Sequence, residues 1–319
     1  MAFLEKLGFQ KMLAFAALVI LYIFFSIFGV RFLSLDTFLT ILGSAYFIAF
    51  LAIGVTFVII TGGIDLSIGA GMICCAIIGG LVYNTLHVPL PLAIIIMILF
   101  GALIGLINGL LVTIVKLPPF IATLGTMMMS LGFGSIVTNV STQTFPTMYD
   151  ADNWYKYLFI STQNKFPTGL IFLVIFFALA SVVLNKTKIG RYIYGMGSNE
   201  EAVRLSGVNV TLWKTLAYVI CGVFMGLAAI FYSAMFTRII PNTGNGFELL
   251  AIAGVVIGGT SLAGGIGTLS GTMIGVFIMS VLKTGLVSMN QPPQWQTFLT
   301  GVVLILAVAL DVWRNSKKV

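Results

Sequence analysis

The chain has 319 residues, of which 59% are hydrophobic and 8% charged, with a mean hydropathy of +1.12. A soluble domain carries about 25% charged residues, so this composition excludes a soluble globular enzyme and indicates an integral membrane protein. The formal net charge of +7 comes from basic residues scattered between apolar runs, which argues for membrane topology and against nucleic acid.

Apolar runs long enough to cross a bilayer fall near 12–30, 38–60, 66–86, 91–114, 119–139, 169–185, 213–236, 247–263, 267–288 and 295–312. The expected fold is therefore all-α, a single polytopic domain over 1–319 with about ten transmembrane helices. Glycine-rich patches interrupt the third and eighth runs. Lys6 and Lys11 precede the first run in the manner of a signal anchor, and no small-residue cleavage site follows, so that span is expected to be retained. An even number of spans puts both termini on one side. With cytoplasmic termini, the inside loops hold Lys6, Lys11, Lys116, Lys186, Lys188, Arg191, Arg204, Lys214, Arg314, Lys317 and Lys318. The outside loops hold Arg31, Lys156, Lys165 and Arg238, and Lys283 stays within a span. This asymmetry selects cytoplasmic termini.

Glycines recur every four residues within several runs: Gly101, Gly105 and Gly109, then Gly222 and Gly226, then Gly267, Gly271 and Gly275. Such rows let helix backbones approach closely, and packing explains them better than ligand binding. The 141–168 loop, with Asp150, Asp152, Trp154, Tyr155 and Tyr157, reads as extracytoplasmic. It is either a docking surface for an external protein or an ordinary loop with interfacial aromatics.

Few residues are placed for chemistry. There is no G-x-x-x-x-G-K-[ST] loop, no G-x-S-x-G and no H-E-x-x-H, and the only histidine, His87, has no acidic or cysteine neighbour in sequence. Cys74, Cys75 and Cys221 form neither a disulfide framework nor a metal-ligand pattern. Asp65 and Glu248 are ionisable residues at span ends. Either has a functional reading as a membrane-depth acid, and either can cap the helix that follows it. Lys283 is expected to snorkel toward the outer interface.

The most informative polar stretch is 186–212, an expected cytoplasmic loop. Ser198 and Glu201 have capping-box spacing, Glu200 and Arg204 stand i,i+4, and Gly207 can supply a left-handed stop. These signals predict a helix over Asn199–Ser206, about 12 Å long, too short to be stable unless it docks against something.

An internal echo links Thr61-Gly62-Gly63-Ile64-Asp65-Leu66-Ser67-Ile68-Gly69 with Gly258-Gly259-Thr260-Ser261-Leu262-Ala263-Gly264-Gly265, through a shared Gly-Gly-x-(Asp/Ser)-Leu. Both stretches follow a span running inward, and interrupted spans at matching positions point toward a transport pathway in proteins built from repeated halves.

Several motifs resemble those of bacterial sugar ABC transporter permeases of the ribose-type group, whose members include galactose, xylose, galactofuranose and autoinducer-2 importers. They are Gly190-Arg191-Tyr192-Ile193-Tyr194, Gly197-Ser198-Asn199-Glu200-Glu201-Ala202 and Arg204-Leu205-Ser206-Gly207-Val208-Asn209-Val210, together with Pro119-Phe120-Ile121-Ala122-Thr123-Leu124-Gly125 and the two echo stretches. The likeness runs from about residue 50 to 310.

The resemblance implies an inner-membrane permease subunit paired with a second, identical or related, permease chain. It further implies a cytoplasmic ATPase that binds Mg-ATP, so no cofactor in this chain, and an extracytoplasmic sugar-binding protein that delivers the cargo. The short helix then becomes a coupling helix, with Arg191, Ser198, Asn199, Glu200, Glu201, Ala202, Arg204 and Gly207 as ATPase-coupling residues; Val203 departs from the family's second alanine. On the interrupted-span argument, Asp65, Asn108, Phe120, Thr123 and Ser261 are the expected pathway residues. An ion-coupled secondary carrier would also have ten spans and repeated halves. An intramembrane enzyme would need a nucleophile and base that the spans do not supply.

Overall fold

The computed structural model describes residues 2–161 and 165–316. Lys317 and Lys318 lie outside the described residues, as do residues 162–164 of the 141–168 loop and the side chains of Lys6 and Arg314. Eight of the described helices are long and apolar enough to cross a membrane: α1 (Ala2–Phe28), α2 (Leu35–Ile60), α4 (Leu90–Thr113), α5 (Pro119–Val137), α7 (Thr168–Lys186), α9 (Val210–Phe236), α11 (Leu269–Ser288) and α12 (Pro293–Ser316). Two shorter apolar helices, α3 (Ile68–Asn84) and α10 (Phe247–Ile257), follow α2 and precede α11. Outside the apolar bundle lie α6 (Trp154–Phe159), the polar α8 (Lys188–Leu205) and a two-stranded antiparallel pair, β1 (Gln143–Thr144) with β2 (Arg238–Ile239).

Local chemistry sets the helix ends. Ser34, Asn209 and Thr268 each accept the backbone N–H three residues on, capping α2, α9 and α11 at 3.2, 3.0 and 3.2 Å. Pro119 opens α5, where its missing N–H costs nothing. The bundle therefore has two distinct ends. The strand end carries β1–β2, α6 and the start of α2, which is tied there by the Lys165–Asp36 ion pair at 2.6 Å. At the other end, named here for α8, the last carbonyl of α2, Ile60 O, accepts from Gly265 N at 2.8 Å.

The core is built around α2, whose residues are buried without a break from Ile41 to Ile60. A helix apolar on all sides belongs in the middle of a bundle. Its neighbours are α7, α9, α10 and α11, and an aromatic stack runs between them, with Phe50 and Phe231 4.6 Å apart and Phe224 and Phe176 alongside. By contrast α1, α7 and α12 turn large apolar side chains outward (Ile20, Phe28, Val174, Leu306), as lipid-facing helices do.

Among the described residues, α4 and α9 make the most extensive helix pair. A methyl added at Gly101, Gly105 or Gly222 would collide with backbone of the facing helix, at Gly222 O, Tyr218 O and Gly101 O respectively. Gly109 faces Thr215 and Gly226 faces Ile98 in the same seam. Gly271 and Gly275 of α11 similarly meet the backbones of Gly258 and Gly254.

One boundary differs clearly from expectation. The eighth run, expected over 247–263, is helical only to Ile257. Gly259, Gly264 and Gly265 then take φ of +93, +86 and +71°, which ends the helix and makes 258–268 a loop. Gly267 lies in that loop and not in a helix row.

Candidate functional site

The polar stretch after α7 is more helical than its sequence suggests. α8 begins at Lys188, immediately after α7, and Gly190 makes that corner feasible because any side chain there would strike the Leu184 carbonyl. Helical geometry breaks once, at Asn199 (φ −160°, ψ 96°), and then resumes to Leu205. The break corrects the expected cap. Asn199 accepts from Ala202 N at 3.0 Å and so is the N-cap of the second segment, whereas Ser198 points back to donate to Tyr194 O at 3.0 Å. Both residues are good caps, and the extended ψ of Asn199 decides between them.

The second segment carries the charges. Glu200 accepts from Arg204 at 3.2 Å and from Lys214 of α9 at 2.8 Å, and Arg204 also reaches Glu201 at 3.4 Å. Gly207, at φ +81°, ends it. Ala202, Arg204 and Gly207 are exposed, and Leu205 is 81% exposed. Arg191 lies eight residues before the break, exposed, on the first segment.

The first segment is pinned onto two loops. At Gly197 a methyl would collide with both Ile60 O and Gly265 N, and Ser198 packs over Gly265. Tyr194 donates its hydroxyl to Gly267 O at 2.8 Å; burial pushes its phenol up to about 12, so it remains a donor at neutral pH. Gly264 in turn faces Gly62 N and Gly197 O. The break in α8 thus sits where the 61–67 and 258–268 loops touch.

These loops are the two halves of the sequence echo, and their backbones match. Gly62 (φ +77°) donates to Ile59 O and Gly63 to Val58 O, at 2.9 and 3.2 Å. Gly259 (φ +93°) donates to Val256 O and Thr260 to Val255 O, again at 2.9 and 3.2 Å. Both are Schellman endings. The structural register pairs Gly62 with Gly259, one residue away from the Gly62–Gly258 pairing of the sequence echo. A side chain then braces each loop two residues ahead: Asp65 Oδ1 accepts from Ser67 N at 2.9 Å, and Ser261 Oγ from Ala263 N at 3.3 Å.

Each loop is held by a carboxylate. Asp65 is fully buried and accepts from Ser67 Oγ (2.6 Å) and from Asn108 Nδ2 of α4 (3.3 and 3.4 Å to its two oxygens). Asn108 Nδ2 also reaches Ser67 Oγ at 2.8 Å, and Asn108 Oδ1 accepts from Thr126 of α5 at 2.6 Å. A buried polar side chain needs such saturation. In the second loop the carboxylate comes from α12: Asp311 accepts from Ser261 Oγ and Leu262 N at 3.0 and 3.2 Å.

Of the expected pathway residues, the structure brings Asp65 and Asn108 into one buried network. Ser261 is buried in the other loop. Thr123 is buried and donates to Pro119 O at 2.9 Å, while Phe120 is 51% exposed on α5. Sequence reasoning missed Thr126, Tyr194, Leu205 and Asp311. The lone acid near the end of α12 was a signal for the last of these, and an apolar residue between Arg204 and Ser206 was a signal for Leu205.

Comparison with known proteins bears on this arrangement. Residues 37–308 match the family described as branched-chain amino acid transport system / permease component. The chain belongs to that permease family. It is 37% identical over 302 residues to the ribose import permease protein of Escherichia coli, covering 92% of this chain and 91% of the relative. The ribose import permease protein of Bacillus subtilis is 38% identical over 304 residues, covering 95% and 92%. The fructose import permease protein of Rhizobium meliloti is 35% identical over 290 residues, covering 90% and 81%. No solved structure matches the chain at a significant level. Family membership and the eight long apolar helices make this a multi-pass protein of the bacterial inner membrane.

Proposed function

We propose that the chain is the membrane-spanning subunit of an ATP-driven importer for a monosaccharide of the ribose, galactose or fructose kind. The observation that carries the reading is α8. It combines an exposed, separately capped charged segment with a first segment wedged onto the two glycine loops that end α2 and α10. The α8 end then faces the cytoplasm, in keeping with its lysines and arginines.

In this reading a cytoplasmic ATPase, which would hold Mg-ATP itself, receives the Glu200–Gly207 segment. A second permease subunit completes the pathway, and an extracytoplasmic sugar-binding protein supplies cargo at the strand end. ATP-driven movement of the ATPase shifts the exposed segment, and Gly197, Ser198 and Tyr194 pass that shift to both loops together. Two conformations of the loops would then differ in their contacts with α8, which is what a conformational driver requires. The buried Asp65–Ser67–Asn108–Thr126 network ties the first loop to α4 and α5, so displacement of that loop reaches the bundle. The expected pathway residues that lie in these loops and in this network are better read as parts of the moving hinge than as sugar contacts.

The family description favours a second cargo, a branched-chain amino acid, whereas the named relatives are sugar permeases. Proteoliposomes holding the permease with its copurified ATPase and the external binding protein decide between them. ATP-dependent uptake of ribose, galactose or fructose, with leucine not transported, is the expected result. Leucine uptake alone would replace the cargo. Uptake by the permease without ATPase, driven by a proton or sodium gradient, would overturn the importer reading in favour of a secondary carrier.

A further inference from the structure

Between β2 and α10 the chain makes no helix, yet it descends deep into the bundle. Gly244 (φ +104°) packs against Gly69 O and Ile73 of α3, and Gly69 in turn meets Glu248 at the start of α10. The other end of α3 is at the strand pair, where Asn84 donates to Thr144 O at 3.0 Å. At 1.5 Å of rise per residue, Ile73 and Gly69 lie about 16 and 22 Å along α3 from that end. That is near the middle of a hydrocarbon core about 30 Å thick. The 11-residue α10 therefore starts at mid-depth, and 240–246 makes the rest of the crossing.

Non-helical backbone at that depth is tolerated only if it is buried in protein or lines water. Here it is not wholly buried. Asn242 and Asn245 are exposed and Thr243 is half-buried, although Gly244 and Glu248 on either side are packed. Asn242 (φ +59°) and Gly246 (φ +96°) hold the turns, and Glu248 Oε1 fixes Gly246 N at 2.9 Å. A second observation comes from a different helix. The Lys283 ammonium of α11 stands 5.3 Å from the Phe247 ring centre and 5.7 Å from that of Phe47, and among the described residues it has no carboxylate partner. An unpaired ammonium between spans faces an aqueous cavity or the bundle interior and not lipid.

We propose that Asn242, Thr243 and Asn245, with the Phe247 ring and the Lys283 ammonium, form the wall of the translocation pathway around mid-depth, suited to a neutral, hydroxyl-rich solute. Amides and an ammonium hydrogen-bond hydroxyls, and the ring face suits the C–H side of a sugar. The assignment rests on the importer reading for its cargo but not for its location.

The test is thiol labelling of Asn242→Cys and Asn245→Cys in cells, with a charged, membrane-impermeant methanethiosulfonate added outside. The native Cys74, Cys75 and Cys221 are buried and supply the unlabelled background. Both positions are expected to label, and labelling is expected to cut ribose uptake at least fivefold. Thr243→Cys reads the same surface should either variant fail to accumulate. Labelling only by lipophilic N-ethylmaleimide, or full labelling with undiminished uptake, would overturn the proposal. Labelling in a protein that takes up no ribose, galactose or fructose would leave the pathway in place and remove the cargo.

Discussion

Glycine has opposite uses in two regions of this protein. In the α4–α9 seam it is a missing side chain: Gly101, Gly105 and Gly222 keep regular helical geometry, and their value lies in how near two backbones can come. In the loops under α8 it is a permitted conformation. Gly62, Gly259, Gly264 and Gly265 all have positive φ and stop or redirect the chain. The seam is a long interface with little freedom to rearrange. The loops are short, hydrogen-bonded turns that touch one another and α8 at a few points. A permease that must stay folded while one end moves needs both.

Substitutions can set the two regions against each other. Gly105→Leu should be the most damaging change, since the new side chain meets the Tyr218 carbonyl of a packed helix. Overpacking of this kind costs about 3 kcal/mol or more, and size-exclusion chromatography in detergent should show loss of the folded species. Asn108→Ala should come next. It leaves the buried Asp65, Ser67 and Thr126 side chains short of a partner, at roughly 1–3 kcal/mol, measurable by denaturant titration of the purified protein. Asn108→Asp would place a second carboxylate beside Asp65 and should be worse than alanine. An alanine variant as stable as the wild type would mean that the network does not hold the first loop.

Tyr194→Phe sharpens the contrast further. Losing the bond to Gly267 O should cost only about 1 kcal/mol, with the fold intact. Its effect should appear instead as more ATP hydrolysed per solute transported, because α8 is then freed from the second loop. Unchanged stoichiometry would confine Tyr194 to packing.

The membrane class, the long spans and the glycine rows were legible in the sequence because each depends on periodicity or composition within one segment. The capped segment of α8 was legible to within one residue. What could not be read was whatever depends on distant residues meeting. Asp311 holding the second loop, Tyr194 reaching Gly267, and the descent of 240–246 alongside α3 leave almost no local trace. The eighth run misled for a physical reason: hydropathy counts glycine as compatible with a span, whereas a left-handed glycine such as Gly259 ends a helix. The sequence echo pairs the bracing residues Asp65 and Ser261 correctly and is one residue out of register only at the left-handed glycines, Gly62 and Gly259.

The central claim is that the exposed second segment of α8 is where the ATPase docks, and Leu205→Asp tests it most directly. Leu205 is 81% exposed, so the substitution should leave the unfolding of the isolated permease unchanged within about 0.5 kcal/mol, as for surface changes generally. Affinity purification of the tagged permease from cells expressing the ATPase should then recover the ATPase with the wild type and lose it, at least tenfold, with Leu205→Asp. Recovery of the ATPase at wild-type level with this variant would contradict the claim.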